Sequence, residues 1–160
     1  MWKDQPQEIT RLKTGIIGLG VSGGMIAQAL QFMGAEVSYY SRSRKPEKEE
    51  GGLIYRELPD LLSHCDVVFT CLNKKEFAQL GNGKLLFNTS IGPSHEVEAL
   101  KNWLAAGDNW FICDTAGAIG DVSLVDYPHI VCEQASAGCT AQAYELLTEK
   151  VLTNIKEHLK

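Results

Sequence analysis

No stretch of this chain approaches the roughly 20 consecutive apolar residues that cross a bilayer as a helix, so a membrane partner is not expected. Residues 1–6 lack the apolar centre of a signal peptide. Positive charge is scarce: 15 Lys and Arg stand against 20 Asp and Glu, a formal charge of −5. A nucleic-acid partner therefore has no electrostatic support. Proline is sparse, with 5 in 160 residues, and no repeat or low-complexity segment is visible. The five cysteines, Cys65, Cys71, Cys113, Cys132 and Cys139, include no C-x-x-C pair. The ligand spacings of a structural metal site are absent. Most of the cysteines lie in or beside apolar runs, where a thiol acts as a small hydrophobe. Reduced thiols and a cytoplasmic location are the reading that follows. At this length one well-buried domain, residues 1–160, is expected.

Glycine is plentiful, and its placement carries the first positive signal. Gly18-Leu19-Gly20-Val21-Ser22-Gly23 fits G-x-G-x-x-G. An apolar strand, residues 14–17, leads into it, and a helical pattern, residues 25–33, leads out. Ile26, Leu30 and Met33 are expected on the face toward the sheet. A second strand follows at 37–40. Strand, tight turn, helix and strand form the unit that binds a dinucleotide pyrophosphate. Gly18 permits the sharp turn, Gly20 lets backbone approach phosphate, and Gly23 lets helix and strand pack closely. A helix N-terminus there favours an anion. The bland reading of the same residues is a tight turn whose small side chains serve packing alone.

Apolar and helical runs alternate to the end of the chain. Residues 41–52 read as a loop, 53–55 as a short strand, 57–63 as a helix with Pro59 in its first turn, and 67–71 as a buried strand. After a short link (73–80) and a turn (81–83), strands are expected at 85–88, 111–113 and 130–132. Ser94 is expected to cap a helix ending near Ala106. A long closing helix, 140–158, should turn Tyr144, Leu147, Val151 and Ile155 inward. The pattern predicts an α/β fold: one Rossmann-type three-layer domain with a doubly wound, mainly parallel sheet of about seven strands.

Ligands of such sheets sit beyond the carboxyl ends of the strands. The end of the second strand separates cofactors. An acid there holds the ribose 2′-hydroxyl of NAD, but here the run is Ser41-Arg42-Ser43-Arg44-Lys45. Ser41 or Ser43 can hydrogen-bond a 2′-phosphate and Arg42 can grip it bidentately. NADP(H) is thus preferred, with NAD(H) possible. The alternative is a solvated loop whose cations pair with Glu47, Glu49 and Glu50. Cys71, Leu72 and Asn73 are candidates for the adenine or nicotinamide ribose, Thr89 and Ser90 for the nicotinamide, and Asp114 for its carboxamide.

Together these motifs resemble the coenzyme domain of the D-isomer-specific 2-hydroxyacid dehydrogenases. Trp2, the segment from Glu8 through Gly20, Leu58, Leu61, Leu62, Cys65-Asp66-Val67-Val68, Asn88-Thr89-Ser90-Ile91-Gly92, Asp114, Gly138 and Thr140 carry the likeness. The cationic run is similar to the NADP-preferring glyoxylate and hydroxypyruvate reductases. The resemblance implies hydride transfer between NADP(H) and a 2-keto or 2-hydroxy acid, a homodimer formed through coenzyme domains, and a separate substrate domain that this chain lacks. It also implies an active-site Arg, Glu and His. Their positions fall on Ile91, on Ile119 or its neighbours, and on Ala135, with Gln134 in place of the preceding Pro. A 2-keto acid is then a partner only where a substrate domain is supplied. The chain alone reads as a dinucleotide-holding module with no catalytic residue. His95 reads as a surface residue rather than an acid/base, and neither Asp121 nor Glu133 replaces the lost cation. A second resemblance, to β-hydroxyacid dehydrogenases and imine reductases, rests on Ser41-Arg42-Ser43 and Thr89-Ser90-Ile91-Gly92-Pro93.

Overall fold

The computed structural model describes residues 7–70, 80–136 and 139–158. Seven strands form one sheet in the order β3-β2-β1-β4-β5-β6-β7, every neighbouring pair parallel. They are β1 Lys13–Ile17, β2 Glu36–Tyr40, β3 Ile54–Tyr55, β4 Val67–Thr70, β5 Leu85–Asn88, β6 Trp110–Cys113 and β7 Ile130–Cys132. The chain runs outward from β1 to β3, returns to β4 beside β1, and continues to the other edge. That reversal opens a crevice at the carboxyl ends of β1 and β4, where such sheets bind ligands.

Helices α1 (Val21–Phe32), α3 (Leu58–His64) and α4 (Val97–Ala105) supply the outer layers. On one face Leu61, Leu62, Leu100, Trp103 and Leu104 pack on Val68, Leu86 and Phe111. On the other, Ala27 and Leu30 pack with Ile16, Val37 and Tyr39. Lys84 bolts the first of these layers from inside. Its Nζ donates to the carbonyls of Leu62, Ser63 and Cys65 at 2.8, 3.1 and 2.5 Å, closing the C-terminus of α3.

Several expectations need correction. The buried residues of α1 are Gly23, Ala27 and Leu30; Ile26 is half-buried and Met33 lies exposed just past the last turn. The helix begins four residues earlier than its apolar pattern, at the glycine turn, and that shifts its inner face. The loop at 41–52 contains a single helical turn, α2 (Pro46–Glu49), with Pro46 in its first turn. Ser94 does not cap α4. The N-cap is Glu96, and Ser94 is buried with its Oγ accepting from Thr70 Oγ1 at 3.2 Å. The closing helix α5 (Ala141–His158) has no buried residue: Tyr144, Leu147, Val151 and Ile155 are all exposed. Their three- and four-residue spacing is real, but no described element packs on that stripe. Thr140 does cap this helix, accepting from Ala143 N. Among the described residues, no helix is long and apolar enough to cross a membrane.

Candidate cofactor cleft

β1 ends at Ile17, and the chain reverses at Gly18, whose φ of 96° lies in the left-handed region that glycine tolerates best. Gly18 N donates to Tyr40 O at 2.8 Å and ties the turn to the end of β2. A Cβ on Gly23 would lie 2.1 Å from Gly18 O, so glycine is required there for helix and turn to touch. Gly20 differs: a Cβ there would meet nothing within 4 Å. It is the N-cap of α1, has no side chain to cap the helix, and faces open space. A cavity of about 370 Å³ is lined by Gly18, Leu19, Gly20, Val21, Ser22 and Gly23, and by Ser41, Arg42, Ser43 and Lys45. Backbone at a helix start, hydroxyls and two cations form a donor set that suits phosphate.

The five residues after β2, Ser41 to Lys45, are sorted by their partners. Ser41 is buried and its Oγ donates to Ser43 O at 2.5 Å, which curls the loop. Arg44 turns away from the cavity. Its Nε and Nη2 donate to the Glu49 carboxylate at 2.8 and 2.6 Å, and its guanidinium lies over the Tyr55 ring. That pairing raises the Arg44 pKa and lowers that of Glu49. Tyr39, wholly buried in β2, donates to Glu49 Oε1 and accepts from Lys45 N. Burial, then the neighbouring Glu49, pushes its phenol upward. The solvated-loop alternative therefore holds for Arg44 alone, while Arg42 and Lys45 remain at the cavity. Lys45 was not among the predicted ligands. Its Nζ donates to Leu19 O at 2.6 Å, across to the glycine turn. Its proximity to the motif was legible in sequence, but which cation Glu49 would take was not.

A second opening, about 700 Å³, lies at the ends of β5 and β6 and is lined by Ser22, Thr89, Ser90, Ile91, Asp114, Thr115, Ser136 and Cys139. Ser22 borders both openings. The predicted Thr89, Ser90 and Asp114 come together here; Thr115, Ser136 and Cys139 were not predicted. Cys71, Leu72 and Asn73 lie outside the described residues, as do Trp2 and Gly138. Asn88 organises this half. It is fully buried, donating to Ala118 O at 3.0 Å and Gly92 O at 3.3 Å while accepting from Thr70 Oγ1 and Ser90 N. A buried amide so satisfied holds the loop that carries Thr89, Ser90 and Ile91.

The three positions of the implied Arg, Glu and His have separate fates. Ile91 is 100% exposed. Ile119 is buried in the core, and its carbonyl accepts from His95 Nε2 at 2.9 Å. Ala135 is exposed. His95 is therefore no surface residue: it is 7% exposed and set edge-on against Phe111. Burial lowers its pKa. Asp121 caps a turn by accepting from Ser123 N and Oγ, which lower its pKa.

A family model described as the D-isomer specific 2-hydroxyacid dehydrogenase, NAD binding domain, matches residues 2–122. The chain belongs to this family. The match spans Ile91 and Ile119 and stops before Ala135, and it decides against the β-hydroxyacid dehydrogenase and imine reductase resemblance. A hydroxypyruvate reductase of Blautia hydrogenotrophica is 26% identical over 96% of this chain and 52% of its own. A glyoxylate reductase of Thermococcus litoralis is 29% identical over 88% of this chain and 47% of its own. The chain thus spans about half the length of these curated relatives. D-lactate dehydrogenase from Aquifex aeolicus, solved with NAD and lactic acid, superposes with a TM-score of 0.81 at 20% identity, over 97% of this chain and 55% of that one. The NAD-complexed 2-hydroxyacid dehydrogenase of Lactobacillus delbrueckii gives 0.79 at 22%, over 94% and 54%. These two likenesses establish the fold. As the NAD-binding domain of this family, the chain takes a nicotinamide dinucleotide, and the glycine-turn cavity has the backbone and donors to suit one.

Proposed function

We propose that the domain holds NADP(H) in preference to NAD(H), and that it serves an oxidoreductase moving hydride between that cofactor and a 2-keto or 2-hydroxy acid. One observation carries the preference. The cavity beyond β2 is lined by Ser41, Arg42, Ser43 and Lys45, and no acid is among its described lining residues. A 2′-phosphate there would meet two cations and a hydroxyl in place of a repelling carboxylate. In this reading residues 18–23 hold the pyrophosphate, and Thr89, Ser90 and Asp114 bound the nicotinamide. The cofactor supplies the hydride; these residues bind and orient it.

The described openings contain no cation in the position for a substrate carboxylate, and Ile91 cannot supply one. Residues 1–160 are then one cofactor domain, and substrate recognition depends on groups from a further domain. Exposed apolar residues along α5 support association into a homodimer, and sedimentation as a monomer at micromolar concentration would contradict that part. A cytoplasmic location belongs to the same reading. Titration with NADPH and NADH tests the core of it: NADPH should bind at least ~10-fold more tightly, the worth of one good charge-assisted contact. Equal or tighter NADH binding would sink the preference. With glyoxylate or hydroxypyruvate, this chain by itself should give no turnover of NADPH.

A further inference from the structure

Two cysteines end neighbouring strands. Cys113 is the last residue of β6 and Cys132 the last of β7, and the two are direct partners in the parallel register. They are far apart in sequence, yet adjacent strands stand only about 4.8 Å from one another. That spacing lies inside the ~4.4–6.8 Å over which a disulfide joins two Cα atoms. Register partners in a parallel pair also point to the same face of the sheet. Here that face is the same core: Cys113 is buried within it, and half-buried Cys132 packs against it. Burial, then a hydrogen bond shared with Cys132, holds the Cys113 thiol above the ordinary thiol range. Cys113 thus keeps its proton, and Cys132 is the more open of the two. Of the other described thiols, Cys65 is buried at the end of α3, and Cys139 is exposed with its sulfur accepting from the Tyr144 hydroxyl at 3.6 Å.

We propose that Cys113 and Cys132 form a redox-modifiable dithiol site, closed to an intramolecular disulfide by a low-molecular-weight disulfide and reopened by thiols. Cys132, as thiolate, attacks one sulfur of the oxidant. A bond forms between Cys132 Sγ and that sulfur, the oxidant's own S–S bond breaks, and its other half leaves as a thiolate that takes up the proton Cys132 gave up. Cys113 then loses its proton and attacks Cys132 Sγ, expelling the second half, which leaves with that proton. Two protein thiols are oxidised by two electrons, and one small disulfide is reduced to two thiols. The sheet drives the second step, because it already holds one sulfur against the other and no chain closure remains to be made. The new bond would tie the ends of β6 and β7 together. Asp114, next to Cys113, and Ser136, shortly after Cys132, both line the opening at those strand ends. The site is independent of which dinucleotide the domain prefers.

The test exposes the folded 160-residue chain to oxidised glutathione near pH 8, where a fair share of an ordinary thiol is ionised. Free thiols are then alkylated and the peptides read by mass spectrometry. The main product should be a Cys113–Cys132 linkage, lighter by two hydrogens, cleaved by dithiothreitol and retained in Cys139→Ser. Cys113→Ser should stop the reaction at a glutathione adduct on Cys132, and Cys132→Ser should leave Cys113 as a thiol. Where either variant fails to fold, phenylarsine oxide on the wild-type chain decides, because trivalent arsenic bridges two adjacent thiols. One equivalent should protect both cysteines from alkylation. The proposal is overturned if both thiols stay free, if an adduct on Cys132 of the wild type is never resolved, or if Cys139 takes part in the main linkage. It is equally overturned if the linkage forms no more readily in the folded chain than in urea, or if the arsenical leaves both cysteines open to alkylation; Cys113 and Cys132 would then serve core packing alone.

Discussion

The two halves of the cleft share Ser22 but differ in what surrounds it. Toward β2, backbone, hydroxyls and the cations Arg42 and Lys45 line the space. Toward β6, one carboxylate stands among hydroxyls, a thiol and a fully exposed isoleucine. The first half has what is needed to hold an anionic cofactor. Among its described lining residues the second has no cation, and Ile91, Ile119 and Ala135 stand at the positions the resemblance implies for Arg, Glu and His. On the proposed function, the contrast teaches that recognition of the cofactor and use of it are separable, because that reading assigns them to different strand ends. The glycine turn is dictated by close packing, while Ile91 on the β5 loop and Ala135 after β7 are exposed.

Gly23→Ala should break the holding half most severely. The new methyl meets Gly18 O at 2.1 Å, a backbone atom that cannot swing aside. Destabilisation of ~3 kcal/mol and loss of dinucleotide binding are expected, read by denaturant unfolding and by titration. Retained affinity would mean that the turn does not bear on the cofactor. Lys84→Met probes the scaffold beneath both halves. It leaves three carbonyls at the end of α3 without their donor and should cost about 2–3 kcal/mol while cofactor affinity at low temperature stays unchanged. A parallel loss of affinity would show that the α3 layer is coupled to the cleft.

Arg42→Ala sharpens the comparison itself. NADPH affinity should fall about 10-fold or more, and NADH affinity should stay within about twofold. The change should also flatten the salt dependence of NADPH binding. A uniform loss for both cofactors would mean that Arg42 meets the pyrophosphate rather than the ribose. The smallest effect concerns His95, buried against Phe111 with its Nε2 on the Ile119 carbonyl. Burial lowers its folded pKa below the unfolded value of about 6.5. Above that pH the ring is neutral in both states and its contribution is fully present. As pH falls below it, the unfolded chain takes up a proton that the fold resists, and stability drops until the folded pKa is passed. Between about pH 7.5 and about pH 5.5 the loss should be under ~1 kcal/mol, and smaller still in His95→Gln. An equal loss in the variant would place the titration elsewhere.

Legibility followed physical cause. β1, the glycine turn and β5 were readable because each is built by neighbours in sequence: an apolar run, a φ that glycine tolerates, a bounded strand. Ser94 misled because its residue type suits a helix cap, whereas buried Thr70, 24 positions away in the chain, draws it inward. His95 misled for the same reason, its partner being the carbonyl of Ile119. On α5 the apolar spacing announced a stripe, but spacing says nothing of whether another element is there to cover it. In the cationic loop the residue types were plain, and their division was not: Arg44 is drawn to Glu49 through a helical turn that the local sequence only hints at, which leaves Lys45 to reach Leu19.

By itself, then, the sequence determined the doubly wound sheet, the dinucleotide turn at Gly18, Gly20 and Gly23, and the absence of an acid after β2, because each follows from local backbone preference and from which residue types are present. Tertiary structure alone decided which cations face the cavity, that Ile119 is core while Ile91 is solvent, and that Asp114 is the one charge among the described residues of its opening. Those outcomes depend on contacts between strand ends distant in sequence, and only the folded sheet brings them within reach of one another.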